Sequence, residues 1–271
     1  MAKKVLVIPD VHGLSFWKEP VNRYINEVDR VVFLGDYLDP YSDNGESVDT
    51  DDIFGNLVEI VNVKLKHKEK VVLLIGNHDY HYFSKRALQV VRASRCDLQN
   101  WRRNNEFFIE HENEFCVAHL ERVKNVTYLF SHAGLTTYWI NKVNHVLWKI
   151  NDREISVADQ DIIDRINNLP TDYEGQNMLF IVGKQRSLLG EKTGSVLWAD
   201  IYEHSIPYAQ KVYGLDKVFQ VIGHTMIDDR KGDMVAFDNL ALIDSRQCFI
   251  ISDDCDKKIT TLREYEIEHE K

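Results

Sequence analysis

Five apolar segments of this sequence each run directly into side chains that can bind a metal ion or transfer a proton. The clearest is Leu73-Leu74-Ile75, which leads into Gly76-Asn77-His78-Asp79. A short apolar run preceded by valines indicates a buried strand, and the glycine permits a sharp turn behind it. Because loops meet ligands at the carboxyl ends of strands in α/β sheets, this junction predicts a functional site.

The other four segments end in polar residues of the same kinds. They are Val5–Ile8 before Asp10 and His12, Val31–Leu34 before Asp36 and Asp39, Tyr128–Phe130 before His132, and Phe219–Ile222 before His224. An isolated Asp or His at such a position is more often a turn residue or a helix cap than a ligand. Oxygen and imidazole donors at five strand ends instead predict one shared metal site.

The predicted donors suffice for two metal ions if one carboxylate bridges them. They are Asp10, His12, Asp36, Asn77, His132 and His224. Asp36 is the natural bridge, because a carboxylate has two oxygens. Two ions about 3.5–4 Å apart can hold a phosphate and lower the pKa of a shared water. His78 is then predicted to protonate the leaving oxygen, with Asp39 orienting its imidazole.

The composition predicts a single α/β domain over residues 1–271. The chain is 44% hydrophobic, which is enough for one sizeable core. A net charge of -10 argues against a broad nucleic-acid-binding surface. The four cysteines have no CxxC spacing, and we find no secretory signal or membrane-spanning segment. We therefore expect a cytoplasmic protein with reduced thiols.

Strands alternate with helical patterns up to residue 75, which predicts a parallel sheet. Residues 106–118 suggest a hairpin, and residues 136–200 suggest an insertion of helices and loops. Further strands are predicted near the end of the chain and would form an antiparallel second sheet. These strands are 233–238, 240–244, 247–252 and 258–267.

Five motifs of the chain together resemble the calcineurin-like metallophosphoesterase superfamily. They are Asp10-x-His12, Gly35-Asp36-x-x-Asp39, Gly76-Asn77-His78-Asp79, His132 and Gly223-His224. Three stretches are most similar to its phosphoprotein phosphatase branch, which includes serine/threonine phosphatases and symmetrical bis(5'-nucleosyl)-tetraphosphatases. These stretches are Ser131-His132-Ala133-Gly134-Leu135, Leu197-Trp198-Ala199-Asp200 and Gly223-His224-Thr225.

The resemblance implies an α/β fold in which two mixed β-sheets pack as a sandwich with flanking helices. It also implies two metal ions and a catalytic pair, His78 as proton donor and Asp39 as its partner. The ligands implied for one ion are Asp10, His12 and Asp36. Those implied for the other ion are Asp36, Asn77, His132 and His224.

The sequence departs from the phosphatase branch at two places. Pro40 stands where that branch usually has a phosphate-binding arginine, and Asp79 stands where its protein phosphatases commonly have Glu. Arg186 is our candidate for the missing cation, since its surroundings resemble the stretch before the tryptophan motif in bacterial members. Asn77 and His78 are the other candidates for contact with the substrate phosphate.

We therefore predict a dinuclear phosphoesterase that cleaves phosphomonoesters by attack of a metal-bridging hydroxide, in the manner of a serine/threonine protein phosphatase. One alternative is a phosphohydrolase of dinucleoside polyphosphates or other nucleotides, and another is a catalytically silent binding scaffold. The predicted partner is a phosphorylated protein or a nucleotide, and we expect no association with a membrane. Manganese, iron and zinc all suit these ligands.

Overall fold

The structure is a computed structural model that describes residues 3–41, 49–83, 96–204, 212–227 and 233–269. The strands are β1 Lys4–Ile8, β2 Arg30–Phe33, β3 Val71–Leu74, β4 Phe115–Cys116, β5 Ala118–Val123, β6 Val126–Ser131, β7 Val218–Ile222, β8 Val235–Phe237, β9 Leu240–Leu242, β10 Phe249–Ser252 and β11 Thr260–Thr261. The α-helices are α1 Lys18–Tyr24, α2 Thr50–Lys66, α3 Asn77–Phe83, α4 Trp101–Glu110, α5 Thr137–Val143, α6 Gln160–Asn167, α7 Tyr173–Leu179, α8 Ile201–His204 and α9 Leu262–His269.

Short helical segments of other kinds complete the described elements. A π-helical turn covers Asn144–Trp148. The 3₁₀ turns are Glu112–Glu114, Asp152–Glu154, Leu169–Thr171 and Leu215–Lys217. The chain divides into two compact units, which are Met1–Cys116 with Arg246–Lys271, and Val117–Ser245.

The first unit contains a six-stranded mixed sheet in the order β11-β10-β1-β2-β3-β4. Strands β1 to β4 run parallel, whereas β10 is antiparallel to β1 and β11 is antiparallel to β10. The β1 and β2 runs are almost entirely buried, which is typical of parallel strands covered on both faces. Parallel pairing brings the loops that follow β1, β2 and β3 to the same edge of this sheet.

The second unit contains a five-stranded mixed sheet in the order β5-β6-β7-β9-β8. Strands β6, β7 and β9 are parallel to one another. The outer strand β5 is antiparallel to β6, and the outer strand β8 is antiparallel to β9. The carboxyl ends of β6 and β7 therefore lie side by side. Gln220 of β7 fixes the loop after β6, because its side-chain amide bonds both the N–H and the C=O of Leu135.

The predicted fold class is confirmed, since the described chain has two mixed sheets with helices packed against them. Helix α2 packs on β3, and α6 packs on β5. No described helix has both the length and the apolar character needed to span a membrane. The single domain over residues 1–271, with an insertion at 136–200, stays a prediction.

The predicted arrangement of the last strands is wrong in two respects. Strands β10 and β11 belong to the first sheet, and most of the predicted strand 258–267 is helix α9. The hydroxyl of Thr261 accepts a hydrogen bond from the N–H of Glu264, which is half of a Thr-x-x-Glu capping box. Leu262 and Tyr265 are buried three positions apart, which is helical spacing.

The hairpin predicted at residues 106–118 is also wrong. Phe107 and Phe108 lie in α4, where Asn104 and Phe108 form the buried face. Their aromatic character suggested a strand, but the i, i+4 spacing of the buried positions is that of a helix. Strand β5, which follows, was not among the predicted strands.

Candidate active site

The loops after β1 and β2 are hydrogen-bonded to each other in the first unit. The N–H groups of Val11 and His12 both donate to the carbonyl of Asp36, at 3.1 and 2.6 Å. The N–H of Gly13 donates to the carbonyl of Tyr37 at 2.9 Å. These bonds hold the Asp10–His12 segment beside the Asp36 loop.

The Asp79 carboxylate joins the loop after β2 to the turn after β3. It accepts backbone N–H bonds from Asp36 at 2.7 Å, Tyr37 at 2.8 Å and Gly76 at 2.8 Å. Asp79 is fully buried. Burial raises its pKa, the neighbouring Asp36 carboxylate raises it further, and the three N–H donors oppose this by stabilising the charged form. Sequence reasoning treated Asp79 only as a motif position and missed this role.

Three of the predicted metal ligands converge in the first unit. Donor atoms of Asp10, His12 and Asp36 all lie within 4.8 Å of one another, and all three residues are buried. His12 Nε2 is 3.5 Å from Asp36 Oδ2. The other oxygen, Asp36 Oδ1, accepts the N–H of His78 at 2.9 Å. Asn77, the fourth predicted ligand in this unit, is buried as the first residue of α3.

The hydrogen bonds of His12 suit it to metal binding. Its Nδ1 is 3.0 Å from the carbonyl of Leu38 and 3.1 Å from that of Asp39. Carbonyl oxygens only accept, so Nδ1 carries the proton and the lone pair lies on Nε2. Backbone carbonyls that orient a histidine in this way are a common feature of metal sites. The carboxylates beside Nε2 supply hard oxygen donors, so this group fits a divalent ion.

A second buried group surrounds His78. Its Nδ1 is 3.0 Å from Asp39 Oδ2, which gives the predicted pair a direct contact. Asp39, His78 and His81 form a group whose donor atoms also lie within 4.8 Å of one another. Burial and the neighbouring His78 lower the pKa of His81 to about 4. Sequence reasoning assigned His81 to surface or core, because it has no partner at a telling spacing.

Four of the predicted site residues have a positive backbone φ. The angles are 45° for His12, 50° for Asp36, 58° for Asp39 and 68° for His224. In the part of the chain that is described, they account for four of the eight non-glycine residues with this conformation. Such a conformation costs about 1–3 kcal/mol and tends to persist where function requires it.

In the second unit, the rings of His132 and His224 meet edge to face, with centroids 4.9 Å apart. His132 Nε2 is 3.1 Å from His224 Nδ1, and both residues are buried. Two neutral imidazoles whose nitrogens approach this closely can direct both lone pairs at one cation. His204 supports the loop behind His132, because its Nε2 donates to the carbonyl of Ala133 at 2.9 Å. Burial lowers the pKa of His204 and so favours the neutral ring.

Arg186 lies beside the loop that carries His224. Its Nη2 donates to the hydroxyl of Thr225 at 2.7 Å and is 3.2 Å from Asp200 Oδ2. Asp200 belongs to the motif Leu197-Trp198-Ala199-Asp200. Trp198 of this motif packs against His224 with ring centroids 5.9 Å apart. The predicted phosphate-binding cation is therefore next to a predicted ligand within this unit.

Comparison with known proteins gives one family. The family model described as calcineurin-like phosphoesterase matches residues 3–228. No curated protein matches the sequence.

Two solved structures are similar over most of the chain. One is a serine/threonine phosphatase from Saccharomyces cerevisiae with similarity to human phosphatase PP5. It has 17% identity and a TM-score of 0.52, and the match covers 96% of this chain and 79% of that one. The other is a conserved protein of Streptococcus pneumoniae TIGR4 described as a predicted phosphoesterase, with 11% identity, a TM-score of 0.27 and coverage of 93% and 82%. The similarity to the yeast phosphatase structure supports the assignment of the fold.

Gly76 leaves the space that the Asp36 carboxylate occupies. A Cβ atom at position 76 would lie 2.1 Å from Asp36 Oδ1. We predict that Gly76→Ala displaces Asp36, lowers the free energy of unfolding by about 1–3 kcal/mol and weakens Mn²⁺ binding by about 10–100-fold. Urea denaturation and calorimetric titration with Mn²⁺ measure the two effects.

The matched control is Gly55→Ala in helix α2, where a Cβ atom would meet nothing within 4 Å. This variant should stabilise the protein by about 0.5–1 kcal/mol and keep wild-type Mn²⁺ affinity. Equal Mn²⁺ affinities in the two variants would contradict the placement of Asp36 in an ion site.

Proposed function

The chain belongs to the calcineurin-like phosphoesterase family and is a hydrolase of phosphoester bonds, and we propose that it cleaves phosphomonoesters in the manner of a serine/threonine protein phosphatase. The observation that carries this proposal is the 3.0 Å contact between His78 and Asp39, in the same unit as the group formed by Asp10, His12 and Asp36. The predicted partner is a phosphorylated protein or a nucleotide, and the predicted location is the cytoplasm.

We propose that the enzyme uses two divalent ions, with manganese, iron or zinc as candidates. In the first unit the proposed ligands are Asp10, His12, Asp36 and Asn77. In the second unit they are His132 and His224. Such ions, when bound, polarise the phosphoryl group and lower the pKa of a water.

His78 has the contacts expected of a proton donor. Its Nδ1 faces Asp39, and because a carboxylate accepts, Nδ1 carries a proton and Nε2 is the atom that exchanges one with substrate. With a second proton on Nε2, the ring can protonate a leaving alkoxide. A proton donor matters most for phosphomonoesters with poor leaving groups, such as phosphoserine.

Arg186 is the proposed phosphate-binding cation in place of the arginine that Pro40 replaces. Its contact with Thr225, the residue after His224, supports this role. The planar guanidinium can bind two phosphate oxygens at once. Asn77 and His78 are the other proposed phosphate contacts.

One observation favours a nucleotide as the second candidate substrate. The first unit contains a cavity of about 220 Å³ beside Asp39 and Pro40, and Phe54 forms part of its wall. This volume is below the roughly 300–1,000 Å³ of usual ligand pockets, so it would admit a single ring system such as a base. The alternative of a silent scaffold finds no support in a family of hydrolases.

A substrate panel tests the proposed function. We expect hydrolysis of p-nitrophenyl phosphate and of a phosphoserine peptide in Mn²⁺, and its loss in chelator, because the ions activate the water. Diadenosine tetraphosphate should be cleaved more slowly than the peptide. Faster cleavage of diadenosine tetraphosphate would favour the nucleotide candidate, and no turnover of any of the three in Mn²⁺ would refute the proposal.

The role of His78 is tested by His78→Asn. We expect kcat for phenyl phosphate, a poor leaving group, to fall by about 10²–10⁴-fold, with a smaller fall for p-nitrophenyl phosphate. The metal content, measured by mass spectrometry, should not change. His145→Asn removes an exposed histidine as the control. Wild-type turnover of phenyl phosphate by the His78 variant would exclude it as the proton donor.

The role of Arg186 is tested by Arg186→Gln, with Lys184→Gln as a matched control in the same loop. Loss of a charged hydrogen bond to phosphate should raise KM for p-nitrophenyl phosphate by about 10–100-fold. The Lys184 variant should keep the wild-type KM. Indistinguishable KM values for the two variants would leave Arg186 as a structural partner of Asp200.

A further inference from the structure

Both oxygens of the Asp39 carboxylate are held by side chains from one face of helix α3. Oδ2 faces His78 Nδ1 at 3.0 Å, and Oδ1 accepts the hydroxyl of Tyr82 at 2.5 Å. His78 and Tyr82 are four residues apart, so both project from the same side of the helix. The tyrosine therefore completes a clamp on the carboxylate that orients the proposed proton donor.

The hydrogen-bond directions of this clamp follow from its members. The N–H of Asp97 donates to the Tyr82 oxygen at 2.7 Å, so the single hydroxyl proton remains for another partner. Among the described residues, the Asp39 carboxylate and the Cys96 thiol lie beside that proton. A carboxylate is a much stronger acceptor than sulfur, so the proton lies toward Asp39. The order is Asp97 N–H to Tyr82 O–H to Asp39, which also accepts from His78.

Packing gives the Tyr82 hydroxyl a fixed position. The side chain is fully buried, and its ring stacks on Phe108 with centroids 6.1 Å apart and an interplanar angle of 12°. Asn105 holds the backbone of the same residue, since its Nδ2 donates to the Tyr82 carbonyl at 2.6 Å. A hydroxyl fixed in this way can set the rotation of a carboxylate rather than follow it.

Asp39 is a residue whose orientation needs such support. Its backbone φ is 58°, in the left-handed region that is unfavourable for residues other than glycine. Its carbonyl accepts from His12 Nδ1, so the same residue touches both histidines. Rotation of its side chain would change the direction in which His78 presents Nε2.

We propose that Tyr82 is a positioning residue, whose hydroxyl holds the Asp39 carboxylate so that His78 can deliver its proton to the leaving oxygen. This inference rests on the proposed phosphoesterase function. Tyr82 itself touches neither the reacting phosphate nor an ion ligand in this account. It acts on the leaving-group step through Asp39 and His78.

The test compares Tyr82→Phe with Tyr24→Phe. The control removes another tyrosine hydroxyl that donates to a carboxylate, that of Glu266, at 2.7 Å. In Mn²⁺ we expect Tyr82→Phe to lower kcat for phenyl phosphate about tenfold and kcat for p-nitrophenyl phosphate less than threefold, because only the poorer leaving group depends on the proton. KM and metal content should be unchanged, and Tyr24→Phe should match the wild type.

Equal losses on the two substrates would point to general structural damage and overturn the proposal, as would wild-type kinetics. A second measurement separates this outcome from failure of the proposed function. In the full chain without Mn²⁺, the Nδ1–H proton resonance of His78 should shift in Tyr82→Phe but not in Tyr24→Phe. If the wild type is inactive but the His78 resonance still shifts in Tyr82→Phe, the phosphoesterase proposal alone is refuted. An unchanged resonance would refute the positioning role.

Discussion

The candidate site of the first unit depends on one buried carboxylate that is not a proposed ligand. Asp79 accepts backbone N–H bonds from Asp36, Tyr37 and Gly76, and so ties the loop after β2 to the turn after β3. Three such bonds offset only part of the cost of burying a carboxyl group among other acids, so the pKa of Asp79 is still raised, to about 8. They hold Asp36 in a positive-φ conformation with its side chain over Gly76.

Other side chains of the candidate site are also held in place by hydrogen bonds. Backbone carbonyls orient His12, a carboxylate orients His78, and a tyrosine hydroxyl orients that carboxylate. Each reactive side chain therefore has a partner that fixes its rotation, which is what precise placement of donors requires. The second unit repeats the logic with Gln220 and His204, which hold the backbone of the loop that follows His132.

Sequence reasoning could place the strand-end residues because parallel strands deliver their carboxyl ends to one edge. That rule is enough to bring Asp10, His12 and Asp36 together. It does not reveal Tyr82, whose partner Asp39 is 43 residues away and whose aromatic ring would be expected in the hydrophobic core.

The predicted strand 258–267 was wrong for another reason. It was predicted as one of several successive strands, but the Thr261 capping bond and the buried Leu262 and Tyr265 make it a helix.

The central claim is that Asp36 and His12 bind a divalent ion together. The most direct measurement is anomalous diffraction from crystals of the active protein soaked in Mn²⁺. Our account predicts a manganese peak at coordination distance from both His12 Nε2 and an Asp36 oxygen. Manganese found only at other residues, or absent from crystals that still hydrolyse phosphomonoester, would contradict it.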